Sequence, residues 1–169
     1  MRSLILCVAV SLMTACGNSE SPAAPASDPT MLEANAVVER VVDGDTVVVS
    51  IDGTSEHMRL IGIDTPETVK PNSPVECFGP EASAFTKSLL PEGTAVRVVR
   101  DVEARDDYDR LLGYLYRADD GLFVNLEIIR SGYASLLTFP PNIAHVDEFR
   151  AAAEAARRAD LGLWVSCAG

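Results

Sequence analysis

The sequence predicts a small α+β domain in which a five-stranded Greek-key β-barrel is combined with helices. Short Val-rich segments separated by Asp-Gly turns occupy the first part of the chain, and segments with helical spacing become frequent after them. The length of 169 residues is enough for one domain and an N-terminal extension. We find no internal repeat that would indicate a repeat architecture.

Five segments have the composition and alternation of β-strands. They cover residues 36–42, 46–51, 56–63, 95–102 and 111–117. Asp43-Gly44-Asp45 separates the first two segments, and Asp52-Gly53 is a strong hairpin signal before the third. Successive close hairpins of this kind favour a small barrel.

Three segments have the spacing of helices, at residues 80–90, 125–131 and 147–159. Pro80 stands near the first helical position, where its missing N–H costs nothing. Gly132 is expected to end the second helix, and Asp147 to cap the third.

The first 35 residues have the composition expected of an export signal followed by a flexible tether. An apolar run over residues 4–13 follows Arg2 and is too short for a membrane span, which is typical of a secretory signal in residues 1–16. Residues 12–17 resemble a bacterial lipobox, in which the chain is cut before Cys16 and Cys16 is lipidated. Plain cleavage near Ala15 is the alternative. Residues 17–35 are rich in Ser, Ala and Pro, which is typical of a flexible linker to a domain at residues 36–169.

The predicted location follows from this signal. We expect an exported lipoprotein, anchored in a membrane and facing the periplasm or the cell exterior, or else a soluble secreted or periplasmic protein. Cys7 would be removed with the signal and Cys16 would carry lipid. Cys77 and Cys167 then remain as an even pair in an oxidising compartment, so a disulfide is the leading interpretation and two free thiols are the alternative.

The net charge of −11 argues against strong long-range attraction to a polyanion. Any phosphate binding must therefore come from a local arrangement of arginine and metal. This charge does not exclude nuclease chemistry, but it predicts weak binding of long substrates.

Five side chains form the strongest functional signal in the chain: Asp45, Arg59, Asp64, Glu67 and Arg110. Each is weak alone, because Asp-Gly and Asp-Thr-Pro are common turns and a single Arg is usually solvated. The set together offers oxygen ligands for a metal, a base and two guanidinium groups. This combination suits attack of water on a phosphodiester.

The segments that carry these residues resemble the staphylococcal nuclease family. Asp-Gly-Asp-Thr, Arg-Leu-Ile-Gly-Ile-Asp-Thr-Pro-Glu and Tyr-x-Arg-x-x-Gly-Tyr occur in the order of the family, and the resemblance extends over about residues 37–164. Residues 77–82 resemble an exported branch of the family that carries a disulfide. The resemblance implies an OB-fold barrel with three helices, Ca²⁺ dependence, and cleavage of DNA and RNA to 3′-phosphate products.

The resemblance also implies a metal site. Asp45 and Asp64 match the two metal carboxylates of the family, and Thr65 matches the residue that offers a backbone carbonyl. A hard cation such as Ca²⁺ prefers oxygen ligands of this kind.

The same resemblance assigns the catalytic residues. Arg59 and Arg110 match the two groups that hold the phosphate, and planar paired donors suit that task. Glu67 matches the general base, although a carboxylate that only orients water remains an open alternative.

Two departures from the family bear on the substrate. Lysines are few, and acidic residues flank Tyr108 on both sides. Tyr108 could bind a terminal phosphate and Phe139 could stack on a base, with simple packing as the alternative for both. We expect a monomer that acts on DNA and RNA, and the contrasting hypotheses are a non-catalytic binding module and a structural surface lipoprotein.

Overall fold

The structure, a computed structural model, describes residues 32–68 and 74–167. The strands are β1 (Ala36–Asp43), β2 (Thr46–Ile51), β3 (Thr54–Leu60), β4 (Ile63–Asp64), β5 (Ala95–Val99), β6 (Leu111–Arg117) and β7 (Ser135–Leu136). The helices are α1 (Gly79–Leu89), α2 (Val124–Arg130), α3 (Val146–Arg158) and α4 (Leu163–Ser166).

Five strands form a closed barrel in the order β1-β2-β3-β6-β5, and pairing of β5 with β1 completes the ring. The pair β3–β6 is parallel, whereas the other neighbours are antiparallel. The sequence prediction of a five-stranded barrel with three helices is therefore confirmed, and α4 is a short addition to it.

The barrel interior is filled by the inward face of each strand. Met58 and Leu60 of β3 are fully buried, as the alternation in this segment predicts. Ile128 and Ile129 of α2 and Phe149 of α3 pack against the same core. These helices thus share one hydrophobic core with the barrel.

The third predicted strand is interrupted. β3 ends at Leu60, and the chain turns at Gly62, where φ is +85°. The ring of Phe149 occupies the space that a Cβ at Gly62 would need, so only glycine fits this turn. The chain then continues as β4, which pairs with β7 outside the barrel. The strand predicted at residues 95–102 likewise ends early, at Val99.

The prediction that Asp147 caps the third helix is wrong. Helix α3 starts at Val146 and its N-cap residue is His145, whose side chain makes no capping hydrogen bond. Asp147 lies in the first turn and pairs with Arg150. An acidic side chain in that turn still interacts favourably with the helix dipole.

A disulfide joins Cys77, just before α1, to Cys167, just after α4. Cys16, the predicted signal and most of the predicted linker lie outside the described residues. The last linker residues are described. The Asn35 N–H donates to the Val96 carbonyl, and the Asn35 side-chain amide exchanges hydrogen bonds with the Val98 backbone of β5. Within residues 32–68 and 74–167, no helix has both the length and the apolar character needed to cross a membrane.

Candidate active site

The turn between β1 and β2 holds Asp45 against the chain that follows β4. Gly44 makes this close approach possible, because a Cβ there would lie 2.6 Å from the Thr65 hydroxyl oxygen. The backbone N–H and the hydroxyl of Thr65 both donate to Asp45 Oδ2, at 2.9 and 3.0 Å. Asp45 is only 8% exposed, so its carboxylate is fixed in one orientation.

Arg59 of β3 lies between two carboxylates. Its Nη1 is 2.6 Å from Asp45 Oδ2, and its Nη2 donates to Asp64 Oδ1 at 2.9 Å. Strand pairing sets this position, because Arg59 lies opposite Thr46, the neighbour of Asp45, in the β2–β3 register. The barrel itself therefore brings the guanidinium to both acids.

Asp64 is the more accessible of these two acids, with half of its side chain exposed. Burial of the remainder raises the pKa of Asp64, and the negative charges of Asp45 and Glu76 act in the same direction. Arg59 opposes the shift without cancelling it. The site therefore concentrates negative charge that a cation would stabilise.

The residues present fit a hard divalent cation. Asp45 and Asp64 supply carboxylate oxygens, and Arg59 shows that a positive group can lie between them. The described residues assemble no cluster of three or more His, Cys, Asp or Glu side chains around a metal position. A cation here would therefore complete its coordination with backbone carbonyl, water or phosphate oxygens, and Thr65 is adjacent in the chain to provide the carbonyl.

Glu67 lies in the loop after β4 and is held by backbone contacts. Its N–H donates to Glu76 Oε2 at 3.1 Å, and its carbonyl accepts from the N–H of Glu76 at 2.9 Å. Its side chain lies near Asp43 and affects the pKa of that acid. The Glu76 contacts lie next to Cys77, so the disulfide anchors the far end of this loop.

Arg110 is held by one acidic neighbour on its own loop. Asp106 Oδ2 accepts from Arg110 Nε at 2.8 Å, and Asp106 Oδ1 accepts from the backbone N–H groups of Arg110 and Tyr108. Burial acts to raise the pKa of Asp106, but these hydrogen bonds and the charge of Arg110 lower it overall. Asp106 therefore stays ionised and fixes the direction of the Arg110 guanidinium.

Two cavities meet at this site. The larger, about 820 Å³, is lined by seven predicted site residues: Asp45, Arg59, Asp64, Thr65, Glu67, Tyr108 and Arg110. The smaller, about 350 Å³, shares Arg59, Tyr108 and Arg110 with it and adds Phe139. The fold thus brings all predicted metal, catalytic and substrate residues to one continuous cleft, and it places the disulfide outside that cleft.

Tyr108 and Phe139 are not packing residues. Their exposed fractions are 82% and 71%, which leaves both rings open to solvent at the cleft. The Arg110 guanidinium lies 5.6 Å from the centre of the Tyr108 ring. These positions are open to a substrate, although its contacts with them stay a prediction.

Comparison with known proteins agrees with this geometry. The family model described as staphylococcal nuclease homologue matches residues 57–166. The chain belongs to the staphylococcal nuclease family. The matched residues include Arg59, Asp64, Thr65, Glu67 and Arg110, whereas Asp45 precedes them.

Similar proteins align over most of this family member. A thermonuclease of Staphylococcus intermedius is 41% identical over 128 residues, which cover 76% of this chain and 74% of that protein. A thermonuclease of Staphylococcus hyicus is 38% identical over 127 residues, covering 75% and 73%. Endonuclease YncB of Bacillus subtilis is 35% identical over 131 residues, covering 77% of this chain and 61% of that protein.

Sequence reasoning missed two supporting acids in this staphylococcal nuclease family site. Asp43 was interpreted only as a turn residue, yet it is buried and accepts hydrogen bonds from the N–H and the hydroxyl of Thr68. Burial acts to raise the pKa of Asp43, but the neighbouring Glu67 side chain and hydrogen bonds from Thr68 and Gly44 lower it overall. Asp106 was not singled out in the sequence. Its position four residues before Arg110 was the available signal.

Proposed function

We propose that this member of the staphylococcal nuclease family is a Ca²⁺-dependent nuclease that hydrolyses DNA and RNA. Water attacks phosphorus, the bond from phosphorus to the 5′ oxygen breaks, and the products are a 3′-phosphate and a 5′-hydroxyl. The observation that carries this proposal is the cleft in which Arg59 lies between Asp45 and Asp64 while Arg110 faces the same space.

The two arginines would hold the phosphate. Arg110 has Nη1 available beyond its contacts with Asp106, which use Nε and Nη2. Arg59 contacts Asp45 and Asp64, and it would exchange part of these contacts for phosphate oxygens. Guanidinium groups at this position stabilise the charge that develops on the phosphoryl oxygens.

Glu67 would act on the attacking water, as its base or as the group that orients it. The water proton passes to Glu67 in the first case, and the departing 5′ oxygen takes a proton from solvent. The hydrogen bonds that join the Glu67 backbone to the N–H and the carboxylate of Glu76 fix the position of this residue in the loop.

Asp45, Asp64 and the Thr65 carbonyl are the residues proposed to hold the metal. Ca²⁺ bound there would neutralise a non-bridging phosphate oxygen and lower the barrier to attack. The net charge of −11 makes this local positive charge more important, because the overall charge of the protein repels a polyanion.

We further propose that the protein is exported and anchored through lipid on Cys16, and that it acts as a monomer. The Cys77–Cys167 disulfide supports export, because such bonds persist in oxidising compartments. Mass spectrometry of the mature N-terminus from membrane and soluble fractions tests the anchor.

Digestion of end-labelled DNA and RNA by the purified protein tests the activity. We expect cleavage with Ca²⁺, none in EDTA, new 5′ ends that accept a phosphate label directly, and new 3′ ends that can be extended only after removal of a 3′-phosphate. Binding of oligonucleotide without cleavage under all metal conditions would instead identify a non-catalytic binding module.

A further inference from the structure

The loop that carries Tyr108 and Arg110 is the wall between the two cavities of the cleft. Both residues line both cavities, so a shift of this loop would change the whole substrate path. The loop is closed at its base by a β-bridge between Arg105 and Leu111. Asp106 holds Arg110 within the loop. A different contact must hold the loop against the barrel.

Arg105 connects this loop to β3. Its Nη1 and Nη2 donate to the two carboxylate oxygens of Glu56, at 2.9 and 2.7 Å. The same Nη1 donates to the backbone carbonyl of Asp109 at 2.8 Å. The Arg105 guanidinium thus bonds both to strand β3 and to the loop residue that immediately precedes Arg110.

The segment held in this way is conformationally unusual. Asp109 has φ of +61°, a left-handed backbone that non-glycine residues adopt infrequently. The hydrogen bond from Arg105, at the base of the loop, to its carbonyl stabilises that conformation. Glu56 belongs to the strand that also carries Arg59, so the contact ties the two proposed phosphate-binding arginines to one framework.

The contact is poorly suited to a role in stability alone. The Arg105 side chain is 40% exposed and Glu56 23% exposed, and ion pairs this accessible contribute little to folding. A paired guanidinium–carboxylate contact nevertheless has a defined geometry. Its effect should therefore appear in the position of the loop.

We propose that Arg105 and Glu56 form a latch that positions Tyr108 and Arg110 for the reaction. Both are positioning residues and do not contact the substrate. This inference rests on the proposed nuclease function. The competing role is direct contact of Arg105 with a substrate phosphate, since it also lines the larger cavity.

The variant Glu56→Gln separates the two roles. If Arg105 binds phosphate directly, removal of its acidic partner frees the guanidinium and lowers KM. If the pair is a latch, the same change loosens the loop and lowers kcat. We expect Glu56→Gln and Arg105→Gln each to lower kcat about tenfold, since small displacements of catalytic groups have large effects on rate.

The full set of measurements uses the whole protein and a short single-stranded oligonucleotide with Ca²⁺. The double variant should be no slower than the slower single variant, because both changes break one contact. Arg105→Lys should retain part of the rate, since it keeps the charge but loses the paired donors. An unchanged kcat or a lowered KM in Glu56→Gln would overturn the latch.

Hydrogen exchange tests the latch independently of activity. Amides in residues 104–111 should exchange faster in Arg105→Gln and Glu56→Gln, with melting temperatures close to that of the unmodified protein. Arg150→Gln, which breaks an exposed ion pair within α3, is the matched control and should alter neither exchange in this loop nor kcat. Unchanged exchange in both latch variants would refute the latch even if the unmodified protein proved to have no nuclease activity.

Discussion

The two arginines of the cleft are held in different ways. Arg59 projects from a barrel strand, is 14% exposed, and contacts two acids that are distant from each other in sequence. Arg110 is 31% exposed and is held by Asp106, four residues before it on the same loop. The barrel register therefore positions one of the two proposed phosphate-binding groups, and local loop contacts position the other.

Arg59 is therefore expected to be rigidly placed, and Arg110 to be more adaptable. Strand pairing within the barrel fixes the backbone of Arg59. It also places the Arg59 guanidinium beside the proposed metal ligands. The loop holds Arg110 with contacts that can be altered without disturbing the core. Changes at the two positions should accordingly have similar effects on activity and different effects on stability and metal binding.

The largest expected effect is loss of activity in Arg59→Ala and Arg110→Ala. Each change removes donors to the phosphate, and loss of one such donor commonly costs about 100- to 1,000-fold in kcat. Steady-state cleavage of a labelled oligonucleotide measures this effect. Ser88→Ala on the exposed side of α1 is a suitable control, and a variant of either arginine with near-normal kcat would remove that arginine from the mechanism.

Stability should distinguish the same two variants. Arg59→Ala leaves the largely buried Asp45 carboxylate without its cation, which we expect to cost about 2 kcal/mol of unfolding free energy in the absence of metal. Arg110→Ala breaks a more accessible pair and should cost less than about 1 kcal/mol. Urea unfolding in EDTA measures both free energies. Equal losses in the two variants would show that Arg59 contributes no more to stability than Arg110.

Calcium binding should also differ between the two arginine variants. The Arg59 guanidinium occupies the space between Asp45 and Asp64 that a cation would share. Arg59→Ala should therefore bind Ca²⁺ several-fold more tightly in calorimetric titration, although it is inactive. Arg110→Ala should bind Ca²⁺ normally, since Arg110 pairs with Asp106. Weaker binding by Arg59→Ala would show that Arg59 organises the metal carboxylates instead of competing for them.

The contrast also explains how much could be predicted from the sequence. The barrel strands were predictable because Val-rich alternation and Asp-Gly turns are local signals, and β2 has the predicted bounds. The pair β4–β7 was not predictable, because strands of two residues have no periodicity. The turn at Gly62 depends on Phe149, which lies 87 positions later in the chain. No local sequence pattern could therefore predict it.

The site shows the same division. Residues of motifs, such as Asp45 and Glu67, were predicted as a set. Asp43 was not, because its partner Thr68 lies 25 positions away and only the fold joins them. The contact of Glu56 with Arg105 was not predicted for the same reason, since the two residues are 49 positions apart.

A smaller effect is expected at Asp106. Asp106→Asn retains an oxygen that can accept from backbone N–H groups, but it removes the charge that directs the Arg110 guanidinium. We expect kcat to fall about tenfold with little change in melting temperature. Asp107→Asn, on the exposed neighbour, is the matched control. If both variants had the same rate, Asp106 would have no positioning role.

The smallest expected effect concerns Asp101, which anchors the start of the segment leading to Arg110. Its Oδ2 accepts from the Tyr114 hydroxyl and from the N–H of Ala144, both at 2.9 Å. Burial acts to raise the pKa of Asp101, but these hydrogen bonds lower it overall.

A carboxyl whose pKa is lower in the folded state contributes stability that is present above its unfolded pKa, near 4. That contribution is lost as the pH falls through the folded value. Asp101→Asn should therefore destabilise the protein by about 1 kcal/mol at pH 7, and the difference from the unmodified protein should shrink as the pH is lowered below about 4. Urea unfolding across this range measures it. A difference that is independent of pH would show that the ionised carboxylate is not what holds this end of the loop.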